Sequence, residues 1–519
     1  MAEKSDKRKE VLILGFLDKI EEILKKTENA KIPFIYFIFT FFSAVILRNF
    51  LEIFSTGQNL SFEFFSHFDV SYVFLAMALI IIFHYATKES VQKVSRMVLT
   101  SFIILIIVPV IDIAFSLGTG YKIAYIEPTL LNFFTFFGPI KESGASLGMR
   151  IEIAIAVLFS FIYFFIKNRN TKKSLIFLFL TYCLIFFYCS FVFIAPWILI
   201  IPGIESGISE ILIENFYLLF IFLLGVWLFF LYNKGYFIEI LKDLRILRLI
   251  HYELMFVFGA IFAMTIYPGI FNLTGNALFY WIFLTIAVIS AWLFAITTNN
   301  IEDCKIDSMS NKKRPTVTGK IPLKDYKKLS CIFLIVAIVY SSKVNFSSLF
   351  LILLFTANSF MYSMPPLRLK RITFFSKFFI SLNSLALFIM GYNLITGSMN
   401  IPGVIAVFFL VFFTAAINFI DIKDYEGDKK AGIKTIPVVF GLRNSKIIIG
   451  LFFLMSYPAL YIVFRENCLM PVLIVFGLAQ FFLINKKNYN EKQILTVYLF
   501  SLVFLVFYLI FKFKVIQGI

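Results

Sequence analysis

Two acidic stretches in a very apolar chain carry residues whose types and spacing can do chemistry. In NNIEDCKIDSMSNKKRPTVTGK, Asn299, Asp303 and Asp307 recur at every fourth position. In NFIDIKDYEGDKKAGIKTIPVVFG, Asp424 and Asp428 have the same spacing, and Asp421 lies one turn earlier. On a helix each set shares one face. Two carboxylate pairs that face each other repel unless cations sit between them. Mg2+ is a hard cation that takes one or two carboxylates together with phosphate oxygens. Lys312, Lys313, Arg314, Arg368, Lys370, Arg371 and Lys423 are close enough in sequence to bind the remaining phosphate charge, the arginines bidentately. The chemistry implied is an anionic diphosphate held at the cytoplasmic end of an apolar cavity. A diphosphate with a tail greasy enough for the membrane is a prenyl diphosphate.

The bland alternative is that these are solvated helix ends that fix topology, which is the usual role of one DxxxD at a membrane boundary. Two such motifs on the same side, each with Arg or Lys nearby, argue against it. Pro315 and Gly319 also serve to stop a helix.

The elements that must position these residues are membrane helices. The chain is 60% hydrophobic and only 15% charged, with 70 Phe among its 519 residues. Its mean hydropathy of +0.89 excludes a soluble globular domain. The five Cys form no C-x-x-C, and the three His (His67, His84 and His251) are too dispersed for a metal site. The net charge of +17 does not suggest nucleic acid, because the cations fall in short loops between apolar runs. The reading is all-α and polytopic, with about fifteen transmembrane helices. About six are expected in a membrane domain over 1–240, and about nine in a second domain over 241–519. The run YIEPTLLNFFTFFGPI over 125–140, broken by two prolines, reads as interfacial or re-entrant. The loops TKESVQKVSR, KNRNTKK and NKGYFIEILKDLR are basic, whereas STGQNLSFEFF, IESGISEILIEN, NLTGN and TGSMN carry no Lys or Arg. That alternation places the N-terminus and both acidic motifs in the cytoplasm of a cell-membrane protein. The basic, amphipathic segment 233–250 is the expected linker.

The motifs resemble those of the UbiA superfamily of intramembrane prenyltransferases. NxxxDxxxD followed by NKKRPTVTG looks like the family's first aspartate-rich motif, and DIKDYEGDKKAGIKTIPVVFG is similar to its second. YSMPPLRLKR, from Tyr362 to Arg371, resembles the family's cytoplasmic loop, and LKDLRILRLIHYE, from Leu241, its lead-in segment. The resemblance covers about 241–519 and implies a nine-helix bundle. It implies that Asn299, Asp303 and Asp307 bind one Mg2+ and Asp424 and Asp428 another. Asp421 would support the second ion, and Arg314, Tyr362, Arg368, Lys370 and Lys423 would contact diphosphate or acceptor. The implied reaction is Mg2+-assisted ionisation to an allylic carbocation, then attack at C1 by an aromatic or lipid acceptor. Phe-rich helices would shield the cation. Where the family usually has Asn-Asp, this chain has Asn299-Asn300, so one potential ligand or acid is lost. Glu302 is expected on another helix face.

Residues 1–240 fall outside the resemblance. Their intramembrane polar residues are Arg48, Asn49, Glu52, His84, Asp112, Arg150 and Glu152. Arg48 and Glu52 are spaced to pair on one helix face. A lipid-headgroup site near the outer leaflet and a purely structural or partner-docking unit both remain open. For the whole chain, an isoprenoid-lipid transporter or flippase and a non-catalytic assembly factor stand as alternatives. Paired acidic motifs on one side favour the enzyme, because a transporter more naturally carries charge at the midplane.

Overall fold

The computed structural model describes residues 18–56, 62–116, 118, 125–138, 145–198, 210–270, 275–304, 307–308, 313–430 and 432–512. All regular elements among them are helical, and fourteen helices are long and apolar enough to cross a membrane. Two compact units form: Met1–Phe237 with Thr274–Asn276, and Ile238–Leu273 with Ala277–Ile519.

The first unit contains six of these spans. They are α1 (Ile35–Thr56), α2 (Phe62–Thr87), α3 (Val91–Ser101) continuing through a 3-10 segment into α4 (Ile107–Phe115), α6 (Leu147–Asn168), α7 (Thr171–Ile198) and α8 (Glu210–Tyr232). The proline-broken run yields only the short α5 (Leu130–Phe134), not a span. The polar residues of this unit largely serve its own fold. Arg150 donates to the carbonyls of Phe136, Phe137 and Gly138 at 2.6, 3.0 and 2.8 Å. Asp112 accepts from the Gly148 amide at 2.8 Å. Arg48 is buried, donates to Asn49 at 3.0 Å and lies over the Phe68 ring at 5.0 Å. Glu28, also buried, accepts from Tyr163 and pairs with Lys167, both at 2.7 Å. Each of these charges has a partner, as the low dielectric around it requires.

Between the spans of the two units runs the amphipathic α9 (Lys234–Lys242). The second unit then contains α10 (Ile246–Ile266), α11 (Gly275–Glu302, from Ala277 onward), α12 (Leu323–Val344), α13 (Phe346–Ser363) and α14 (Thr373–Thr396). The composite α15 follows over Gly403–Ile422. Next come the short α16 (Tyr425–Lys430) and α17 (Ile436–Phe440), then α18 (Leu442–Phe464), α19 (Met470–Asn485) and α20 (Glu491–Lys512). The helix expected over 327–342 is present as α12, but Lys327, Lys328 and Lys343 keep it outside the fourteen most apolar spans.

Helices α10 and α14 pack closely because two glycines let their backbones meet. A Cβ on Gly259 would lie 1.9 Å from the Phe388 carbonyl oxygen, and one on Gly391 would lie 1.9 Å from that of Phe256. This contact holds the C-terminal half of α14 against α10.

Candidate functional site

The acidic residues keep helical spacing beyond the formal helix ends. Helix α11 ends at Glu302, yet the Asp303 amide bonds to the Asn299 carbonyl at 2.9 Å and the Asp307 amide to that of Asp303 at 2.7 Å. In the second motif the Asp424 amide reaches the Asp421 carbonyl at 3.1 Å, and the Asp428 amide that of Asp424 at 2.9 Å. This repeat aligns each set on one side. Both sets line a single cavity of about 1700 Å3, to which Asn299, Asp303, Asp307, Asp421, Asp424 and Asp428 all contribute. Arg314, Tyr362, Lys370, Arg371 and Lys423 also line it. Arg368 does not line it but acts on the rim through ion pairs to Asp303 at 3.3 Å and Glu302 at 3.2 Å. Lys313 is exposed, and Lys312 lies outside the described residues. Glu302, expected on another face, is therefore tied to the same arginine as Asp303.

Each carboxylate set is met by a cation from a different element. Lys370 Nζ lies 2.5 Å from both carboxylate oxygens of Asp303, and Asn299 donates to Asp303 Oδ2 at 3.1 Å. Arg314 Nε is 3.9 Å from Asp307. Lys377, buried at the start of α14, pairs with Asp421 Oδ1 at 2.5 Å. Lys423 pairs with Glu491 at 2.6 Å, and Glu491 with Arg248 at 3.0 Å. Burial pulls the Lys370 ammonium below its usual value despite the opposing pull of Asp303. Desolvation, reinforced by Glu491 and Asp421 against the opposing Lys423, raises Asp424. Desolvation first, and then Asp421 and Asp424, push Asp428 up to about 6.

These carboxylates suit a hard divalent ion. Asp421 Oδ2 is buried without a hydrogen-bond partner, and the raised Asp424 and Asp428 are short of positive charge. Among the described residues no three acidic, His or Cys side chains converge on one point. Such a donor set leaves coordination positions for phosphate oxygens, which is how Mg2+ is commonly held.

Beyond the charged end the cavity turns aromatic and aliphatic. Phe258, Phe408, Phe409, Phe413, Leu460 and Leu502 line it. Phe408–Phe413 form a π-helical turn inside α15. Such turns leave carbonyls to be satisfied from outside the helix. Here Ser381 donates to the Phe409 carbonyl, and Ser456 to that of Phe412 at 3.0 Å. His251 sits in the wall, bonded to Ser384 at 2.9 Å and Tyr498 at 3.0 Å.

Residues 254–507 match the UbiA prenyltransferase family. That segment belongs to the family. It contains both acidic motifs, and the enzyme is of the prenyltransferase class. Over 196 residues the chain is 28% identical to the digeranylgeranylglyceryl phosphate synthase of Sulfurisphaera tokodaii, covering 37% of this chain and 69% of that one. The Methanosphaera stadtmanae protein of the same name is 29% identical over 169 residues, with shares of 32% and 60%. The Humulus lupulus 2-acyl-4-prenylphloroglucinol 6-prenyltransferase is 27% identical over 219 residues, with shares of 37% and 52%. A solved UbiA homolog from Archaeoglobus fulgidus, bound to DMAPP and Mg2+, aligns with a TM-score of 0.44 at 22% identity, covering 54% of this chain and all of that one. Neither the UbiA family nor these relatives support the transporter or assembly-factor readings.

Lys377, Arg248, Glu491, Arg245 and Asp243 were not singled out by the motifs. A signal existed for Lys377, since a lysine inside the apolar run FFSKFFISL is a functional candidate by default.

The raised Asp428 gives a pH prediction with a definite sign. A divalent ion needs the ionised carboxylate, and a group at about 6 is still partly protonated just below neutrality. Mn2+ affinity in the presence of inorganic diphosphate, measured by electron paramagnetic resonance, should fall about fourfold between pH 8 and pH 5.5 through this group. Asp428→Asn should bind more weakly at pH 8 and lose that part of the pH dependence. An unchanged profile in the variant contradicts the assignment.

Proposed function

We propose that the chain transfers a polyprenyl group from a prenyl diphosphate to a lipid or aromatic acceptor, with Mg2+ as cofactor. The carrying observation is that one cavity joins both acidic motifs to an aromatic, apolar interior. Asn299, Asp303 and Asp307 would hold one ion, and Asp424 and Asp428 the other, with Asp421 in support. The ions would neutralise charge developing on the departing diphosphate. Arg314, Lys370 and Lys423 are placed to orient the same oxygens, and Arg368 steadies Asp303 from the rim. Tyr362, in the cavity wall, is placed to contact diphosphate or acceptor. The C1–oxygen bond breaks with its electron pair going to diphosphate, leaving an allylic cation. A bound nucleophile then forms the new bond at C1 and loses its proton. Phe408, Phe409 and Phe413 would face the cation with their rings and exclude water, which would otherwise compete as nucleophile.

A phosphate-bearing glycerolipid is the acceptor class favoured by the names of two relatives above, and an aromatic ring by the third. The chemistry is assigned to 241–519, because every residue it asks for lies there. The cytoplasmic placement of the N-terminus and of both motifs, in the cell membrane, rests on the loop charges.

Two measurements test this reading. In lipid nanodiscs, transfer from labelled prenyl diphosphate should require Mg2+, and Asp303→Ala and Asp424→Ala should each slow it by about a hundredfold or more. Near wild-type turnover in either variant refutes the two-motif site. For topology, a cysteine at Gly427 in a cysteine-free background should react with impermeant thiol reagents only after the membrane is opened. Labelling of intact cells would invert the orientation.

A further inference from the structure

Asn300 stands where the family usually has an acid, and the structure turns it away from the metal question. Adjacent helical residues point about 100° apart, so Asn300 leaves the face shared by Asn299 and Asp303. It is fully buried and does not line the cavity. Its amide nitrogen donates to Asp243 Oδ2, and to the Tyr326 hydroxyl at 2.9 Å. Its amide oxygen accepts from Arg245 Nη2 at 3.0 Å. Donating on one side and accepting on the other is something an amide does and a carboxylate does not.

Asp243 is the hinge of this arrangement. Its Oδ2 takes the Asn300 amide and the Tyr326 hydroxyl, the latter at 3.3 Å, while its Oδ1 takes Arg314 Nη1. Held there, Arg314 lines the cavity and turns its Nε toward Asp307 at 3.9 Å. The backbone around Asp243 is fixed independently. Trp292 donates to the Leu244 carbonyl at 2.9 Å, and Lys320 pairs with Glu239 at the same distance.

We propose that Asp243 and Asn300 are a positioning pair, in which the Asn300 amide keeps the Asp243 carboxylate turned to hold Arg314 in the diphosphate cavity. The proposal rests on the reading above that this cavity takes a diphosphate. It explains the departure from the family motif as a donor gained rather than a ligand lost. A carboxylate at position 300 would face the Asp243 carboxylate inside protein, without a hydrogen to share. The two would separate, and Arg314 would lose its anchor.

The test exchanges the two groups in the full-length chain in nanodiscs. Asn300→Asp should raise KM for prenyl diphosphate about tenfold or more, with a smaller change in kcat. If position 300 were a metal-ligand position lacking its acid, the same change would tighten Mn2+ binding, and that result overturns the proposal. The double variant D243N/N300D restores one amide against one carboxylate and should return KM to within about threefold of wild type. The charge-matched control N300D/E22Q, at an exposed glutamate of the first unit, leaves the two carboxylates facing and should not recover. Recovery in that control, or a swap no better than N300D alone, overturns the pairing. Should N300D fail to fold, the swap decides: wild-type-like binding upholds the pair, and failure to bind overturns it. Failure of the wild type itself to bind prenyl diphosphate with Mg2+ would overturn instead the functional reading on which the pair rests.

Discussion

The structure of the second unit depends on balancing carboxylates at the edge of a low-dielectric interior. An unpaired charge there is costly, and two acidic motifs sharing one cavity multiply the cost. The balance is supplied by cations from elsewhere in the chain. Lys370 meets Asp303, Lys377 meets Asp421, and Arg314 lies near Asp307. Lys370 and Lys377 flank the start of α14, the helix that Gly259 and Gly391 bring tightly against α10.

The apolar end follows from the same division. The π-helical turn at Phe408–Phe413 directs three rings into the cavity, and its loosened carbonyls are taken up by Ser381 and Ser456. Charge stabilisation at one end and water exclusion at the other suit a reaction that forms a carbocation from a diphosphate.

Much of this was legible in the sequence because its signals are local. Apolar runs of membrane length marked the spans, and four-residue spacing aligned Asn299, Asp303 and Asp307 before any coordinates. The Asp424–Asp428 spacing did the same for the second motif. Partners from distant segments were not legible. Nothing local ties Asp243 to Arg314, or Glu491 to Arg248, since each pair joins segments far apart in sequence. Asn300 looked like a missing ligand because adjacency in sequence hid its different direction on the helix. Glu302 was expected on another helix face than Asp303, yet Arg368 reaches both. In the first half, intramembrane charges were equally compatible with a headgroup site and with structure. The carbonyls that occupy Arg150 come from a bend, and the amide that occupies Asp112 from the first turn of α6, and no periodicity announces either.

The most direct test of the central claim is the number and separation of the metal ions. With prenyl diphosphate bound to the full-length chain, Mn2+ should titrate to two ions whose electron spins are dipolar-coupled. Asp303→Asn and Asp424→Asn should each leave one uncoupled ion. A single ion in the wild type, or two uncoupled ions, would mean that the two acidic motifs do not form one site.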